Sequence, residues 1–103
     1  MLNIICEIAN GYYGSLALSK KYIDIAARAK SNAVKFQIAY ADDLLNKKDK
    51  IFGIIKNNEM SLNHWKKIRS YAKKKKIKFY LDIDGLKAFD IAKKLNPDAI
   101  KIH

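Results

Sequence analysis

The sequence contains few of the residues that cross-link small secreted proteins or interrupt regular structure. It has one cysteine and one proline in 103 residues, so an internal disulfide framework is excluded. Cys6 lies in an apolar stretch, and we expect it to be a small buried hydrophobic residue. No apolar run approaches the roughly 18 residues of a membrane span. The N-terminal MLNIICEIAN contains Glu7 and no basic region, unlike a signal peptide, and these features favour the cytoplasm.

Arginine is also scarce, although the chain is strongly basic. The net charge is +11, but only Arg28 and Arg69 are arginines and the other basic residues are lysines. A lysine bias of this kind is typical of an AT-rich genome. The densest lysine run, at 73–79, fits the solvated end of a helix. Because patches of arginine with interleaved aromatic residues are absent, we expect no nucleic-acid partner. Because no apolar run has the length of a membrane span, we expect no membrane partner either.

Hydrophobic periodicity predicts strands and helices in alternation. Short apolar runs predict four strands, at 3–8, 33–38, 77–83 and 99–103. Helical spacing predicts three helices, over 16–30, 61–76 and 85–95. Ser15 and Ser61 are suited to cap the first two helices. Residues 39–60 are less regular and are expected to hold one or two helical turns.

This order predicts an α/β fold in which parallel strands, βαβαβαβ, are covered by helices. Two architectures fit it. One is an open doubly wound sheet, such as a flavodoxin-like domain with NGYYGS at 10–15 as a phosphate loop. The other is a (β/α)8 TIM barrel, of which residues 1–103 would be half, because a complete barrel needs about 250 residues.

The alternation of side chains distinguishes these architectures. Successive strand residues point to opposite faces, and each predicted strand has an apolar face and a face with polar groups near its C-terminal end. A doubly wound sheet would bury those charges under a helix, at a cost of several kcal/mol. A barrel gathers them at the mouth, where such enzymes have their active sites. The pattern therefore favours a barrel lined by Glu7, Lys35, Gln37, Asp82, Asp84, Lys101 and His103.

Two interpretations of these polar residues remain open. Lysines close to carboxylates suit an anionic substrate, whose phosphate or carboxylate the ammonium groups would bind. Alternatively, the charges compensate each other in ion pairs, such as Glu7 with Lys35, or are simply exposed on short strands.

Three segments resemble the sialic acid synthase (NeuB-like) family. Residues 4–37, IICEIANGYYGSLALSKKYIDIAARAKSNAVKFQ, are similar to its strand ending in A/C-E-I, its N-H-x-G-s/d loop, its A-K-x-x-I-D-x-A helix and its A-V-K-F-Q strand. Residues 77–95, IKFYLDIDGLKAFDIAKKL, resemble its next strand, loop and helix, and DAIKIH at 98–103 resembles its K-I-x-S strand end.

The resemblance implies the N-terminal half of a TIM-barrel synthase domain. Members condense phosphoenolpyruvate with an N-acetylmannosamine-type sugar, form a nonulosonic acid, release phosphate and use a divalent metal, Mn or Mg. Glu7 matches the carboxylate that interacts with the sugar and assists catalysis. Lys35 and Lys101 match the lysines that contact phosphoenolpyruvate, and Gln37 follows the first of them. Asp82 stands where a threonine would bind phosphate.

The sequence also departs from the family pattern. Gly11 and Tyr12 replace the Asn-His pair of the first loop, and the Asp82 carboxylate would repel phosphate unless a lysine neutralises it. The family's metal ligands belong to the other half of the barrel, and His64 and His103 do not supply a metal site by themselves.

We therefore expect the chain to be inactive alone. The alternative is a non-catalytic half barrel that binds an anion, or associates with itself or with a complementary second half through its open edges.

Overall fold

Four strands and five helices alternate along residues 2–103, the part of the chain that the computed structural model describes. In chain order they are β1 (Ile5–Ala9), α1 (Leu16–Arg28), β2 (Ala33–Ala39), α2 (Ala41–Leu44), α3 (Phe52–Asn57), α4 (Leu62–Lys74), β3 (Lys78–Asp84), α5 (Leu86–Leu95) and β4 (Ala99–Ile102). The irregular region between the second strand and α4 therefore holds two short helices, as predicted.

The strands form one parallel sheet in the order β1-β2-β3-β4. β2 and β3 pair along their whole length, from Ala33 opposite Lys78 to Ala39 opposite Asp84. Each strand thus lies next to its predecessor in the chain, and β1 and β4 are the edges of the sheet. The predicted parallel βαβαβαβ order is confirmed, and sequential parallel strands with helical connections are the arrangement of a (β/α)8 barrel.

All three long helices cover the same face of the sheet. α4 packs between α1 and α5, and the side chains of β2 and β3 beneath this layer are at most 3% exposed. They are Val34, Phe36, Ile38, Phe79, Leu81 and Ile83. The opposite face carries the polar side chains and, within residues 2–103, has no helical layer, as in the wall of a barrel. A doubly wound fold, with helices on both faces, is therefore excluded.

An aromatic cluster fixes the helices to the sheet. Trp65 of α4 meets Phe36 of β2 and Tyr12 of the first loop edge to face, with ring centroids 5.9 and 5.3 Å apart. Phe79 of β3 completes the cluster at 5.9 Å from Phe36. Such aromatic pairs stabilise by about 0.5–1.5 kcal/mol each beyond the area that they bury.

Local signals in the sequence fix several of the helix ends. The hydroxyl oxygens of Ser15 and Ser61 accept hydrogen bonds from the third residue after each of them, so both predicted caps are confirmed. α1 ends two residues earlier than predicted, because Lys30 takes a left-handed conformation at φ 59°. α5 ends at Leu95, and its capping residue Asn96, just before the proline, is also left-handed.

The outer strands are less well covered than predicted. We expected the apolar face of every strand to pack on helices, but Ile100 and Ile102 of β4 are 44% and 72% exposed. This expectation was wrong for β4, because α5 packs against β2 and β3. Cys6 of β1 is half-buried against the core. Across residues 2–103, none of the helices combines the length and the apolar character that crossing a membrane requires.

Candidate functional site

The sheet brings the predicted polar residues onto one open face. The strand register aligns Glu7 with Lys35 across β1 and β2, and aligns Gln37, Asp82 and Lys101 across β2, β3 and β4. His103 follows β4 directly, two residues after Lys101. We call this surface the polar face and define it by Glu7, Lys35, Gln37, Asp82, Asp84, Lys101 and His103.

Glu7 and Lys35 form an ion pair at one side of the polar face. Oε1 of Glu7 lies 2.9 Å from Nζ of Lys35. The lysine side chain is 18% exposed and the glutamate side chain 48%. The pairing with β2 shifts just after Glu7, where Ala9 adopts φ 52°. The ion pair that the sequence left as an alternative interpretation is therefore present, and it is open to solvent on the glutamate side.

Asp82 is the centre of a second cluster. Its Oδ2 lies 3.5 Å from Nζ of Lys101 and 3.3 Å from Nδ1 of His103. Asp82 is 6% exposed, whereas the side chains of its two partners are about half exposed. Its other oxygen, Oδ1, is buried and has no hydrogen-bond partner among the described residues. A buried polar atom without a partner is uncommon in folded proteins and calls for an explanation.

The two lysines share a face but belong to different clusters. Lys35 lies level with Tyr80, and Lys101 lies level with Asp82, two residues further along and two strands away from β2. With about 4.8 Å between strands and about 3.3 Å per residue, their Cα atoms are about 12 Å apart. Flexible lysine side chains can span such a gap around one small ligand, but at rest each ammonium group is paired with a carboxylate.

A group of amide side chains extends the polar face beyond the predicted residues. Nδ2 of Asn10 donates to Oε1 of Gln37 at 3.0 Å, and Nδ2 of Asn58 donates to the carbonyl of Asn10 at 3.2 Å. With Asp84 and α3 they line a cleft of about 80 Å³ at the C-terminal ends of β1, β2 and β3. Asn10 directly follows β1, so the sequence alone could have placed it at the C-terminal edge of the sheet. Asn58 and α3 are distant in sequence from β1, and only the folded structure brings them to this cleft.

Tyr12 has a structural position. Its ring is 2% exposed within the aromatic cluster, and its hydroxyl donates to the carbonyl of Gln37 at 2.8 Å. Burial raises the pKa of this phenol far above its ordinary value, so it stays protonated. Tyr12, which stands where the resemblance places a histidine, thus supports the backbone of β2 from inside the core, and its ring lies away from the polar face.

The described residues do not fit a divalent metal. Among residues 2–103, no three histidine, cysteine or acidic side chains converge as metal ligands would. Asp82 and His103 are in contact, but the ammonium group of Lys101 occupies the same carboxylate oxygen and opposes a cation.

Four parallel strands, a helical layer on one face and polar groups on the other define the chain as half of a (β/α)8 barrel. The structure superimposes on an N-acetylneuraminic acid (sialic acid) synthetase from Leptospira borgpetersenii, solved with citrate, with a TM-score of 0.89 and 26% identity. The match covers 98% of this chain and 35% of that one. In fold and sequence the chain is therefore similar to members of the sialic acid synthase (NeuB-like) family.

Two further solved structures are similar to the chain. Spore coat polysaccharide biosynthesis protein SpsE of Bacillus subtilis matches with 28% identity and a TM-score of 0.72, over 94% of this chain and 28% of that one. A spore coat polysaccharide biosynthesis protein E from Chromobacterium violaceum, 15% identical with a TM-score of 0.81, shares the fold.

In sequence, the uncharacterized protein MJ1065 of Methanocaldococcus jannaschii is 30% identical over 99 residues, which are 96% of this chain and 29% of that protein. No family model matches the chain. The chain thus spans about a third of the length of these relatives.

Proposed function

We propose that this chain forms the first four strands of a nonulosonic acid synthase site. In this proposal, a second half of the barrel completes the site, which condenses phosphoenolpyruvate with an N-acetylmannosamine-type sugar in the cytoplasm. The observation that carries the proposal is the polar face, where family-matched residues from three strands meet on one surface. A neighbour in fold and sequence that binds citrate, a small polyanion, also supports it.

Each residue of the polar face has a role in this proposal. Lys35 and Lys101 bind the phosphate and carboxylate of phosphoenolpyruvate as point charges. Glu7, 2.9 Å from Lys35 and about half exposed, accepts hydrogen bonds from sugar hydroxyls beside the reacting carbon. Gln37, held by Asn10, fixes the distance between these two clusters. A divalent metal would polarise the sugar carbonyl, and its ligands would come from the second half of the barrel.

Calorimetric titration of phosphoenolpyruvate into the chain tests the anion site. We expect weak binding that Lys35→Ala abolishes. The matched control is Lys20→Ala, which removes the same charge from the helical side, where Nζ of Lys20 lies 5.5 Å from the ring centroid of Tyr71. If both variants lower the heat equally, the binding is a general response to a chain of net charge +11 and the assigned site is wrong.

Mixing the chain with a separately produced second half of a related synthase tests catalysis. Phosphate release from phosphoenolpyruvate should require both halves, N-acetylmannosamine and a divalent metal, and it should disappear with Glu7→Gln. Failure to release phosphate with any metal, in a mixture shown to associate, would leave common ancestry without activity.

A non-catalytic association module is the second candidate function. The side of β4 that faces α5 is apolar and open, with Leu86 and Ile102 77% and 72% exposed around a cleft of about 390 Å³. Together with the two edges of the sheet, this surface suits pairing with another half barrel. Sedimentation of the purified chain tests this candidate function. A monomer at all concentrations would argue against self-association.

A further inference from the structure

The carboxylate of Asp82 faces one ring nitrogen of His103. Nδ1 of His103 lies 3.3 Å from Oδ2 of Asp82, and the backbone N–H of His103 donates to the carbonyl of Ile83 at 3.0 Å. An ionised carboxylate only accepts hydrogen bonds, so the ring nitrogen that faces it carries a proton. In a neutral imidazole the lone pair is then on Nε2, the nitrogen on the far side of the ring.

This second nitrogen is accessible from the polar face. The side chain of His103 is 51% exposed, and its ring has no other hydrogen bond within residues 2–103. Asp82 is nearly buried, so water has little access to its carboxylate. The imidazole of His103, in contrast, is open to a ligand on the polar face. His64, the other histidine of the chain, lies exposed on α4 and its ring has no carboxylate partner among the described residues.

We propose that Asp82 and His103 form a hydrogen-bond-accepting pair for a hydroxyl group of a carbohydrate bound at the polar face. Nε2 of His103 accepts a hydrogen bond from the ligand hydroxyl, and no covalent bond breaks or forms. The contact of Nδ1–H with the Asp82 carboxylate keeps the lone pair of Nε2 directed at the ligand. His103 is the residue that binds the hydroxyl, and Asp82 is a positioning residue.

Lys101 links this pair to anion binding. Its ammonium group lies 3.5 Å from the same Oδ2 that faces His103, on a side chain that is 56% exposed. When an anionic ligand draws the ammonium group away, Oδ2 of Asp82 is left to Nδ1–H of His103 alone. Binding of an anion therefore strengthens the contact that orients the His103 ring. The carbohydrate as ligand rests on the proposed function, whereas the pair itself does not.

Nitrogen-15 NMR of the His64→Gln variant tests the pair, because only the His103 ring then gives signals. Two-bond proton–nitrogen correlations report which nitrogen carries the proton in the neutral ring. We expect the Nδ1–H tautomer to dominate, and Asp82→Asn to abolish that dominance because an amide can also donate to Nδ1. A predominant Nε2–H tautomer in the chain with Asp82 intact would overturn the proposal.

Carbethoxylation by diethyl pyrocarbonate, followed by mass spectrometry of the otherwise unaltered chain, measures the nucleophilicity of Nε2. His103 should react faster than His64, and Asp82→Asn should bring the two rates together. Lys101→Met is the matched control, since it leaves the carboxylate and the ring in place and should keep the faster rate. Equal rates in the unaltered chain would refute the pair. If phosphoenolpyruvate fails to bind while the tautomer and the rate difference are observed, only the proposed function is wrong.

Discussion

Replacing Asp82 by leucine tests whether this carboxylate serves a ligand or the fold. Oδ1 of Asp82 is buried without a partner, a condition that costs about 1–3 kcal/mol. Its partners Lys101 and His103 are half exposed and can return to water, so each lost pair removes about 0–1 kcal/mol. We therefore expect Asp82→Leu to leave the free energy of unfolding unchanged or to raise it by about 1–2 kcal/mol.

Asp98 provides the matched control, because its carboxylate supports the fold. Its Oδ2 accepts from the backbone N–H of Phe79 at 2.8 Å and pairs with Nη1 of Arg69 at 3.3 Å. Arg69 is 9% exposed, so Asp98→Ala leaves a guanidinium and a backbone N–H without that partner. We expect a loss of about 2–3 kcal/mol.

Urea unfolding followed by the fluorescence of Trp65 measures both changes, since this single tryptophan is fully buried. The midpoint of Asp98→Ala should fall and that of Asp82→Leu should stay or rise, with little change in the slope of either. If Asp82→Leu loses more than about 1 kcal/mol, or if both variants lose stability equally, Asp82 is a structural residue and the functional interpretation fails.

The same assay tests three further features. Gly85→Ala should destabilise by about 1 kcal/mol or more, because Gly85 has φ 94° and an added Cβ would clash with the Asp43 carboxylate. Gly53→Ala, where an added Cβ meets nothing within 4 Å, should stabilise by about 0.5–1 kcal/mol. The hydrogen bond from Lys56 lowers the pKa of Asp42. This pair therefore stabilises the fold above the ordinary aspartate pKa of about 3.9 and stops doing so as the pH falls through the lowered value. Asp42→Asn should flatten the loss of stability in acid, and an unchanged acid profile would contradict the assignment.

The order of elements and the polar face could be predicted because both depend on local patterns. Alternation at period two put Lys35 and Asp82 on the same side, and the register of the parallel strands confirms this. The serine caps were predictable for the same reason, since a cap acts on backbone groups within three residues. These features need no knowledge of which strand lies next to which.

The remaining parts of the site depend on contacts between distant segments. The pairing of Asp82 with His103 joins residues 21 positions apart through the register of β3 and β4. Asn58 reaches Asn10 only because α3 lies over the end of β1. Ile102 is exposed because α5 packs against β2 and β3 and leaves β4 uncovered. The residues around Ile102 in the sequence are apolar and would by themselves predict a buried strand.

The charges of the polar face bear on which ligands can bind there. Its carboxylates are Glu7, Asp82 and Asp84, and its ammonium groups are Lys35 and Lys101, so it carries one net negative charge when His103 is neutral. An isolated anion must therefore compete with Glu7 for Lys35 and with Asp82 for Lys101, and it leaves each carboxylate without its partner. A polyhydroxylated sugar supplies hydroxyl donors to those carboxylates while the anion takes the ammonium groups. Sugar and anion together satisfy both halves of each ion pair, which neither ligand does alone, and the arrangement thus favours two ligands bound side by side.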